Sequence, residues 1–194
     1  MKVESLLRKL GPALILMGVI AAAYFGSRVR VTSANVNFTT TGSHPAAPEF
    51  SLVDLSGQKL DLSRYQGKVV ILDFWATWCS PCRSEIPHFI DWQNKYGSEG
   101  LQVIGISMDD DIKPVQEFYQ QFKMNYPVAV GNSKLAATYG GILGLPVTFV
   151  IGRDGRIYAK HIGETEPAVF EREIKTLLRT QQAQPVALIP AQHR

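Results

Sequence analysis

The chain contains two cysteines, which are separated by two residues in the segment Trp78-Cys79-Ser80-Pro81-Cys82. A disulfide between residues this close closes a very short loop and removes little entropy from the unfolded chain, so stabilisation is a weak reason for the pair. The sulfurs lie about one helical turn apart, which suits a reversible dithiol–disulfide couple. Cys79 and Cys82 are therefore the candidate redox centre.

A buried strand and a helix are predicted on either side of this pair. Residues 68–75 form a nearly continuous run of β-branched and aromatic residues, which is typical of a strand covered on both faces. From 80 to about 96 the apolar residues recur at helical spacing. Cys79 would then lie at a helix N-terminus, where free N–H groups and the helix dipole lower the pKa of a thiol. Pro81 fits the first turn because its missing N–H is not needed there.

Alternating strands and helices are predicted through the rest of the chain from residue 48. A hairpin is expected over 50–62, with its turn at Ser56-Gly57. Further strands are predicted over 101–107, 126–130, 147–151 and 156–162, and further helices over 114–123, 133–139 and 167–179. This order predicts a layered α/β domain over residues 48–180, with helices on both faces of a central sheet.

The N-terminal segment has the character of a membrane anchor or a signal peptide. A basic flank over 1–9 precedes an uncharged run over 10–26, whose 17 residues are at the lower limit for a spanning helix. Small residues around Ala23 also fit signal cleavage, so both interpretations stay open. We favour an uncleaved anchor because Tyr24 and Phe25 extend the apolar run. Either interpretation places the rest of the chain outside the cytoplasm, as a tethered or a secreted domain.

The remaining segments are a predicted linker and tail. Residues 27–47 are rich in Thr, Ser, Asn and Gly and predict a flexible tether, and residues 181–194 predict a disordered tail. Apolar residues make up 45% of the chain and charged residues 19%, as in a globular protein. Residues 31–194 carry 15 basic and 16 acidic side chains. This near-neutral balance lacks the basic stripe of a nucleic-acid-binding protein.

Three motifs resemble the thioredoxin superfamily, and more closely its TlpA/ResA-type membrane-anchored thiol–disulfide oxidoreductases. They are W-C-x-x-C-R-x-E-x-P at 78–87, G-L-P-V-T-F at 144–149 and Asp154-Gly155 in the turn of the last hairpin. The resemblance covers about residues 48–179. It implies a thioredoxin fold, with a central mixed sheet flanked by helices, an added N-terminal hairpin and no cofactor.

The resemblance also implies roles for individual residues. Cys79 would be the attacking thiolate, and Cys82 would resolve the mixed disulfide. Leu145 and Pro146 would face the pair across a cis peptide bond, and Trp78 would limit the access of solvent. The surface that contacts the substrate would be formed by Trp78, Pro81, Leu145 and Pro146.

Two carboxylates are candidates for proton transfer with Cys82. Asp73 lies within the buried strand, where an unpaired charge is costly and the pKa is raised. It resembles the buried aspartate of cytoplasmic-type thioredoxins, which assists deprotonation of the second cysteine. Glu85 lies three residues after Cys82 on the same side of the helix and resembles the active-site glutamate of ResA-type proteins. A stabilising interaction with the helix dipole is the simpler explanation for Glu85, and which carboxylate serves Cys82 stays open.

The sequence thus predicts an enzyme that exchanges dithiols for disulfides in other extracytoplasmic proteins. The resemblance favours a reductase, for example of apocytochrome c, recharged by a thiol protein that carries electrons at the membrane. An oxidant of DsbA character is the alternative. No metal site is expected, because a structural zinc ion is coordinated by four ligands and the segment offers three candidates at most, the two cysteines and His88.

Two further classes are disfavoured by spacing. Peroxidases of the superfamily use P-x-x-x-T-x-x-C, whereas this chain has Leu72 and Ala76 at the proline and threonine positions. Copper metallochaperones on this fold use C-x-x-x-C with a distal histidine, whereas this chain has C-x-x-C. The neighbouring Asp109-Asp110-Asp111 is expected to be a solvated loop that places charge at a helix N-terminus.

Overall fold

The strand that leads to Cys79 is the centre of a five-stranded mixed sheet. The structure is a computed structural model that describes residues 44–180. The strands are β3 (Val69–Trp75), β4 (Leu101–Ser107), β5 (Val128–Val130), β6 (Val147–Ile151) and β7 (Ile157–Ile162). Every residue of β3, the strand that leads to Cys79, is buried, because helices or loops cover both of its faces. The sheet order is β5-β4-β3-β6-β7, with β3, β4 and β5 parallel and β6 and β7 antiparallel to their neighbours.

Helices cover both faces of this sheet. The four helices of the described residues are α1 (Ser80–Tyr96), α2 (Ile112–Phe122), α3 (Ser133–Thr138) and α4 (Pro167–Thr180). Apolar side chains of α1, α2 and α4 form one core cluster with the odd-numbered apolar residues of β3. The opposite face packs against α3 and the N-terminal hairpin. The predicted mixed sheet with flanking helices and an added hairpin is confirmed.

The hairpin consists of β1 (Ser51–Val53) and β2 (Lys59–Asp61), which pair antiparallel. Gly57 in its turn has φ +81°, a conformation that favours glycine. Upstream of the hairpin, Ala46 pairs with Arg156 next to β7, so residues 44–47 of the predicted linker lie against the domain.

The predicted basic flank, membrane span and tail lie outside the described residues, as does the linker up to residue 43. Within 44–180 no helix combines the length and the apolar character needed to cross a membrane.

Helix α1 has the predicted bounds, whereas α2 begins two residues before the predicted start at 114. Asp111 precedes it in an extended conformation, and its carboxylate accepts a hydrogen bond from the N–H of Lys113 at 3.1 Å. This N-cap starts the helix early. Pro114 fits because the first turn leaves its N–H groups without intrahelical partners.

Candidate active site

Cys79 and Cys82 form a disulfide at the start of α1, with their Cα atoms 5.3 Å apart. Cys79 is the N-cap residue, and its sulfur accepts a hydrogen bond from the N–H of Cys82 at 3.3 Å. After reduction the same N–H and the helix dipole would stabilise a thiolate on Cys79. Helix geometry therefore favours Cys79 over Cys82 as the reactive sulfur.

An open groove with a volume of about 540 Å³ leads to Cys79. Its walls are apolar or uncharged, and two of its side chains project into solvent: Trp78 is 71% exposed and Leu143 is fully exposed. The groove is lined by Trp78, Cys79, Ser80, Pro81, Met108 and residues 142–145. A polypeptide segment carrying a disulfide can therefore approach Cys79, although little of the cysteine itself is exposed.

The loop before β6 forms the opposite wall of the groove. Its Leu145–Pro146 peptide bond is cis, as the resemblance implied. Leu145 is half-buried, Pro146 is buried, and the carbonyl of Pro146 accepts a hydrogen bond from the N–H of Gly163 at 2.8 Å. This bond connects the loop to the end of β7.

Asp73 lies in β3 on the sheet face that α1 covers, and it is 1% exposed. Its Oδ1 accepts a hydrogen bond from the hydroxyl of Thr148 on β6 at 3.1 Å. Burial raises the pKa of Asp73 well above its ordinary value, and the charge of Glu85 raises it further against the effect of the Thr148 hydrogen bond. The two predicted carboxylates therefore interact in the fold.

Glu85 lies in the second turn of α1 and is also buried. Its Oε1 accepts a hydrogen bond from the N–H of Thr165 at 2.9 Å, whereas its buried Oε2 has no hydrogen-bond partner among residues 44–180. Burial raises the pKa of Glu85 from its ordinary 4.5 to about 7, with the charge of Glu164 adding to the rise and the Thr165 N–H opposing it. A carboxyl with this pKa can exchange a proton near neutral pH.

Comparison with known proteins supports the interpretation of this geometry. The AhpC/TSA family model matches residues 44–160. The thiol–disulfide oxidoreductase ResA of Bacillus thuringiensis subsp. konkukian is 34% identical over 132 residues, 68% of this chain and 76% of the relative. The ResA of Bacillus anthracis is 36% identical over the same shares of both chains. This chain is an AhpC/TSA-family thiol–disulfide oxidoreductase.

A solved structure agrees with the fold of this oxidoreductase. The crystal structure of the thiol:disulfide interchange protein, thioredoxin family protein, from Chlorobium tepidum TLS is 33% identical with a TM-score of 0.66. The match covers 70% of this chain and 97% of that one. The thioredoxin fold implied by the sequence motifs is thus confirmed.

The oxidoreductase lacks the peroxidase pattern of its superfamily. Ala76, three residues before Cys79, has no hydroxyl, and Leu72 occupies the place of the proline. Both residues are completely buried in β3 and at its end, where they pack in the core. The threonine hydroxyl of the peroxidase pattern is therefore missing at position 76.

The fold of the oxidoreductase brings the predicted site residues into two groups. The residues of one group lie along the groove, and the other group consists of two buried carboxyls, one on β3 and one on α1. The groove group comprises Trp78, Cys79, Pro81 and Leu145, with Pro146 buried next to it, and the second group comprises Asp73 and Glu85. The individual roles of these residues stay predictions.

Sequence reasoning missed several contacts in the oxidoreductase. Met108, Ile142 and Leu143 line the groove although the motifs do not include them. Asp109 was expected to be solvated, and this prediction was wrong: it is 8% exposed and bonded to Thr77. A run of three aspartates gives no signal as to which one turns inward.

Proposed function

We propose that this chain reduces disulfides in other proteins outside the cytoplasm, through the Cys79/Cys82 dithiol. The observation that carries the proposal is a redox couple reached through an uncharged groove, together with two buried carboxyls of raised pKa, Asp73 on β3 and Glu85 on α1. The relatives named as thiol–disulfide oxidoreductases support the same chemistry.

The first step is attack by the Cys79 thiolate on one sulfur of a substrate disulfide. A mixed disulfide forms, the substrate S–S bond breaks, and the other substrate sulfur leaves as a thiolate that takes a proton from solvent. The N–H of Cys82 and the start of α1 stabilise the attacking anion. The groove side chains Trp78 and Leu145 hold the segment of substrate around its cysteine.

The second step requires deprotonation of Cys82, which is 1% exposed in the disulfide form and so has little contact with bulk water. The coupled pair Asp73 and Glu85 accepts this proton. The Cys82 thiolate then attacks the sulfur of Cys79 and forms the disulfide seen in the structure. The second substrate sulfur leaves as a thiolate, so the substrate gains two electrons and the chain loses two.

The oxidised chain must then be reduced again by a dithiol protein. The predicted anchor over 10–26 would keep the domain at the membrane, and the partner would be a thiol protein that carries electrons there. The finer proposal for the substrate is a polypeptide such as apocytochrome c, whose paired cysteines must be reduced before haem attachment. The open, uncharged groove beside Cys79 supports an unfolded cysteine-containing segment as the substrate.

Substitution of the cysteines tests the enzyme assignment. We expect the wild-type chain to reduce a model protein disulfide with dithiothreitol as the electron source. Cys79→Ser abolishes this activity because no attacking thiolate remains, whereas Cys82→Ser accumulates mixed disulfides that can be isolated from the envelope and identified. The matched control is the Cys79→Ser/Cys82→Ser chain, which traps nothing. Activity retained in Cys79→Ser would defeat the assignment.

Redox titration tests the direction of the reaction. The reduction potential of a reductase is close to that of thioredoxin, about −270 mV, whereas the potential of a strong oxidant is close to that of DsbA, about −120 mV. Equilibration of the purified chain with a dithiol buffer gives the value directly. A potential near the DsbA value would replace the reductase by the alternative oxidant.

A further inference from the structure

A buried carboxylate lies behind the loop that carries the reactive cysteine. Asp109 follows β4, and its side chain accepts three hydrogen bonds. Its Oδ2 accepts from the N–H of Thr77 at 2.9 Å and from the hydroxyl of Ser107 at 2.7 Å, and its Oδ1 accepts from the hydroxyl of Thr77 at 2.6 Å. Hydrogen bonds to an ionised carboxylate are stronger than neutral ones. The two bonds to Asp109 therefore hold both the backbone N–H and the side-chain hydroxyl of Thr77.

Two backbone hydrogen bonds complete the attachment of this loop. The N–H of Met108 donates to the carbonyl of Trp75 at 2.7 Å, which joins the ends of β3 and β4. The N–H of Cys79 donates to the carbonyl of Ala76 at 3.1 Å, which closes a turn around Thr77. The connection between β3 and α1 is therefore held from behind by the loop after β4.

We propose that Asp109 is a positioning residue for the thiol–disulfide exchange, which holds Thr77 so that Cys79 stays at the N-cap of α1. The inference rests on the proposed function, because it concerns how the attacking sulfur is presented. Cys79 keeps its hydrogen bond from the Cys82 N–H only in the N-cap conformation. Release of Thr77 lets Cys79 leave this conformation and lose the groups that stabilise its thiolate.

A set of variants separates positioning from charge. Asp109→Ala removes the charge and every acceptor. Asp109→Asn removes the charge, but its amide oxygen still accepts from the Thr77 N–H and its NH₂ group donates to the Thr77 hydroxyl, which can accept. Thr77→Val removes only the hydroxyl contact and keeps the shape of the side chain. Asp110→Ala, at an exposed aspartate of the same loop, is the matched control.

The readout is the rate at which iodoacetamide alkylates Cys79 as a function of pH. Measurement in full-length chain carrying Cys82→Ser leaves one thiol, because the sequence has two cysteines. The other charged side chains and the histidine on β3, α1 and the loop after β4 are Asp73, Arg83, Glu85, His88, Asp91, Lys95, Asp110 and Asp111. Only Asp110 is changed among them, in the control variant. Circular dichroism of each variant checks that it is folded.

We expect Asp109→Ala to slow alkylation at neutral pH by about tenfold and to shift its pH midpoint upward. Thr77→Val shifts both in the same direction by a smaller amount, while Asp109→Asn and Asp110→Ala stay within about twofold of wild type. An unchanged rate in Asp109→Ala overturns the proposal, as does an equal loss in Asp109→Asn, since that variant keeps both hydrogen bonds to Thr77. If Asp109→Ala does not fold, an unchanged profile in Thr77→Val overturns it.

The alkylation rate does not depend on any protein substrate. If the wild-type chain fails to reduce protein disulfides but the variants show the expected alkylation rates, the proposed function is rejected and the positioning role of Asp109 is retained. If Asp109→Ala reduces disulfides normally and its alkylation has an unshifted pH midpoint, the proposed function is retained and the positioning role of Asp109 is rejected. The two failures are therefore distinguishable.

Discussion

At the scale of single residues, the most unusual feature is a pair of buried carboxyls near the redox-active helix, Asp73 on β3 and Glu85 on α1. Asp73 and Glu85 are both buried, and Glu85 raises the pKa of Asp73. Burying a carboxyl with an unpaired oxygen costs stability, as does placing two of them within interaction distance. The proposed proton transfer from the buried thiol of Cys82 would give a reason to retain both.

The raised pKa of Glu85 predicts a specific dependence of stability on pH. Below about pH 4.5 this carboxyl is protonated in the folded and the unfolded chain; between 4.5 and about 7 only the unfolded chain ionises it. The free energy of unfolding should therefore fall as pH rises through this window, and the contribution of Glu85 should level off above it. Asp73 adds to the slope, since its pKa is also raised. Urea unfolding of the oxidised chain across this range measures the effect.

Glu85→Gln should make this slope shallower, because the folded chain then has one buried acid fewer. Glu117→Gln, which removes an exposed carboxylate on α2, is the control and should keep the slope of the wild type. A slope that is identical in Glu85→Gln and wild type would show that Glu85 is not neutralised by burial.

At the scale of elements, periodicity predicted the strands and helices well because their residues are neighbours in the chain. Helix α1 has the predicted bounds, whereas α2 begins two residues before its predicted start because Asp111 caps it. The contacts of the site join residues far apart in sequence: Asp73 with Thr148 over 75 residues and Glu85 with Thr165 over 80. No local pattern encodes such contacts. The cis bond before Pro146 was likewise expected only through family resemblance.

Helix α4 provides a prediction for the packing beneath the site. Phe170 is 1% exposed, and its ring contacts those of Phe89 and Trp92 with centroids 5.7 and 5.8 Å away. Phe170→Ala should lower the free energy of unfolding by about 3–5 kcal/mol, since it leaves a cavity between α1 and α4. Arg172→Ala on the exposed side of α4 should change it by less than about 0.5 kcal/mol. Urea denaturation of both variants measures the two changes in the free energy of unfolding, and equal changes would contradict this packing.

The loop before β6 provides a prediction for substrate binding. Leu143 is fully exposed beside the groove, so its replacement removes an apolar contact for the substrate without disturbing the core. Leu143→Ser should raise KM for a protein disulfide about fivefold, as expected for the loss of about 1 kcal/mol, and leave kcat and Tm unchanged. Val53→Ser, at an exposed residue of the hairpin, is the control and should leave KM unchanged. Equal KM values in the two variants would remove Leu143 from the substrate surface.

At the scale of the whole molecule, the segment before β2 protects both edges of the sheet. Unpaired edge strands can add strands from other chains, so proteins cover them. At one edge Ala46 pairs with Arg156 next to β7, and the N–H of Ile157 donates to the carbonyl of Pro45 at 2.9 Å. At the other edge Asp54 pairs with Ala129 in β5. Residues 44–54 thus cross the sheet from one edge to the other.

This arrangement predicts that the domain requires residues 44–47, which the composition of the sequence had assigned to the linker. A chain that begins at Pro48 loses the two backbone hydrogen bonds to Gly155 and Ile157 and the contact of Arg156 with the carbonyl of His44. Compared with a chain that begins at His44, it should be less stable by about 3 kcal/mol, since each of the three hydrogen bonds contributes about 1 kcal/mol net. It should also aggregate more readily because the β7 edge is exposed.

Urea unfolding and light scattering of the two shortened chains test this prediction. Arg156→Ala in the longer chain serves as an intermediate case, because it removes only the side-chain contact with His44 and should destabilise by less than the truncation does. Since neither change touches the groove, the reactivity of Cys79 should be the same in all three proteins. Equal stability of both shortened chains would place the start of the domain at Pro48, and a loss of Cys79 reactivity in the shorter one would mean that the edge segment also supports the site.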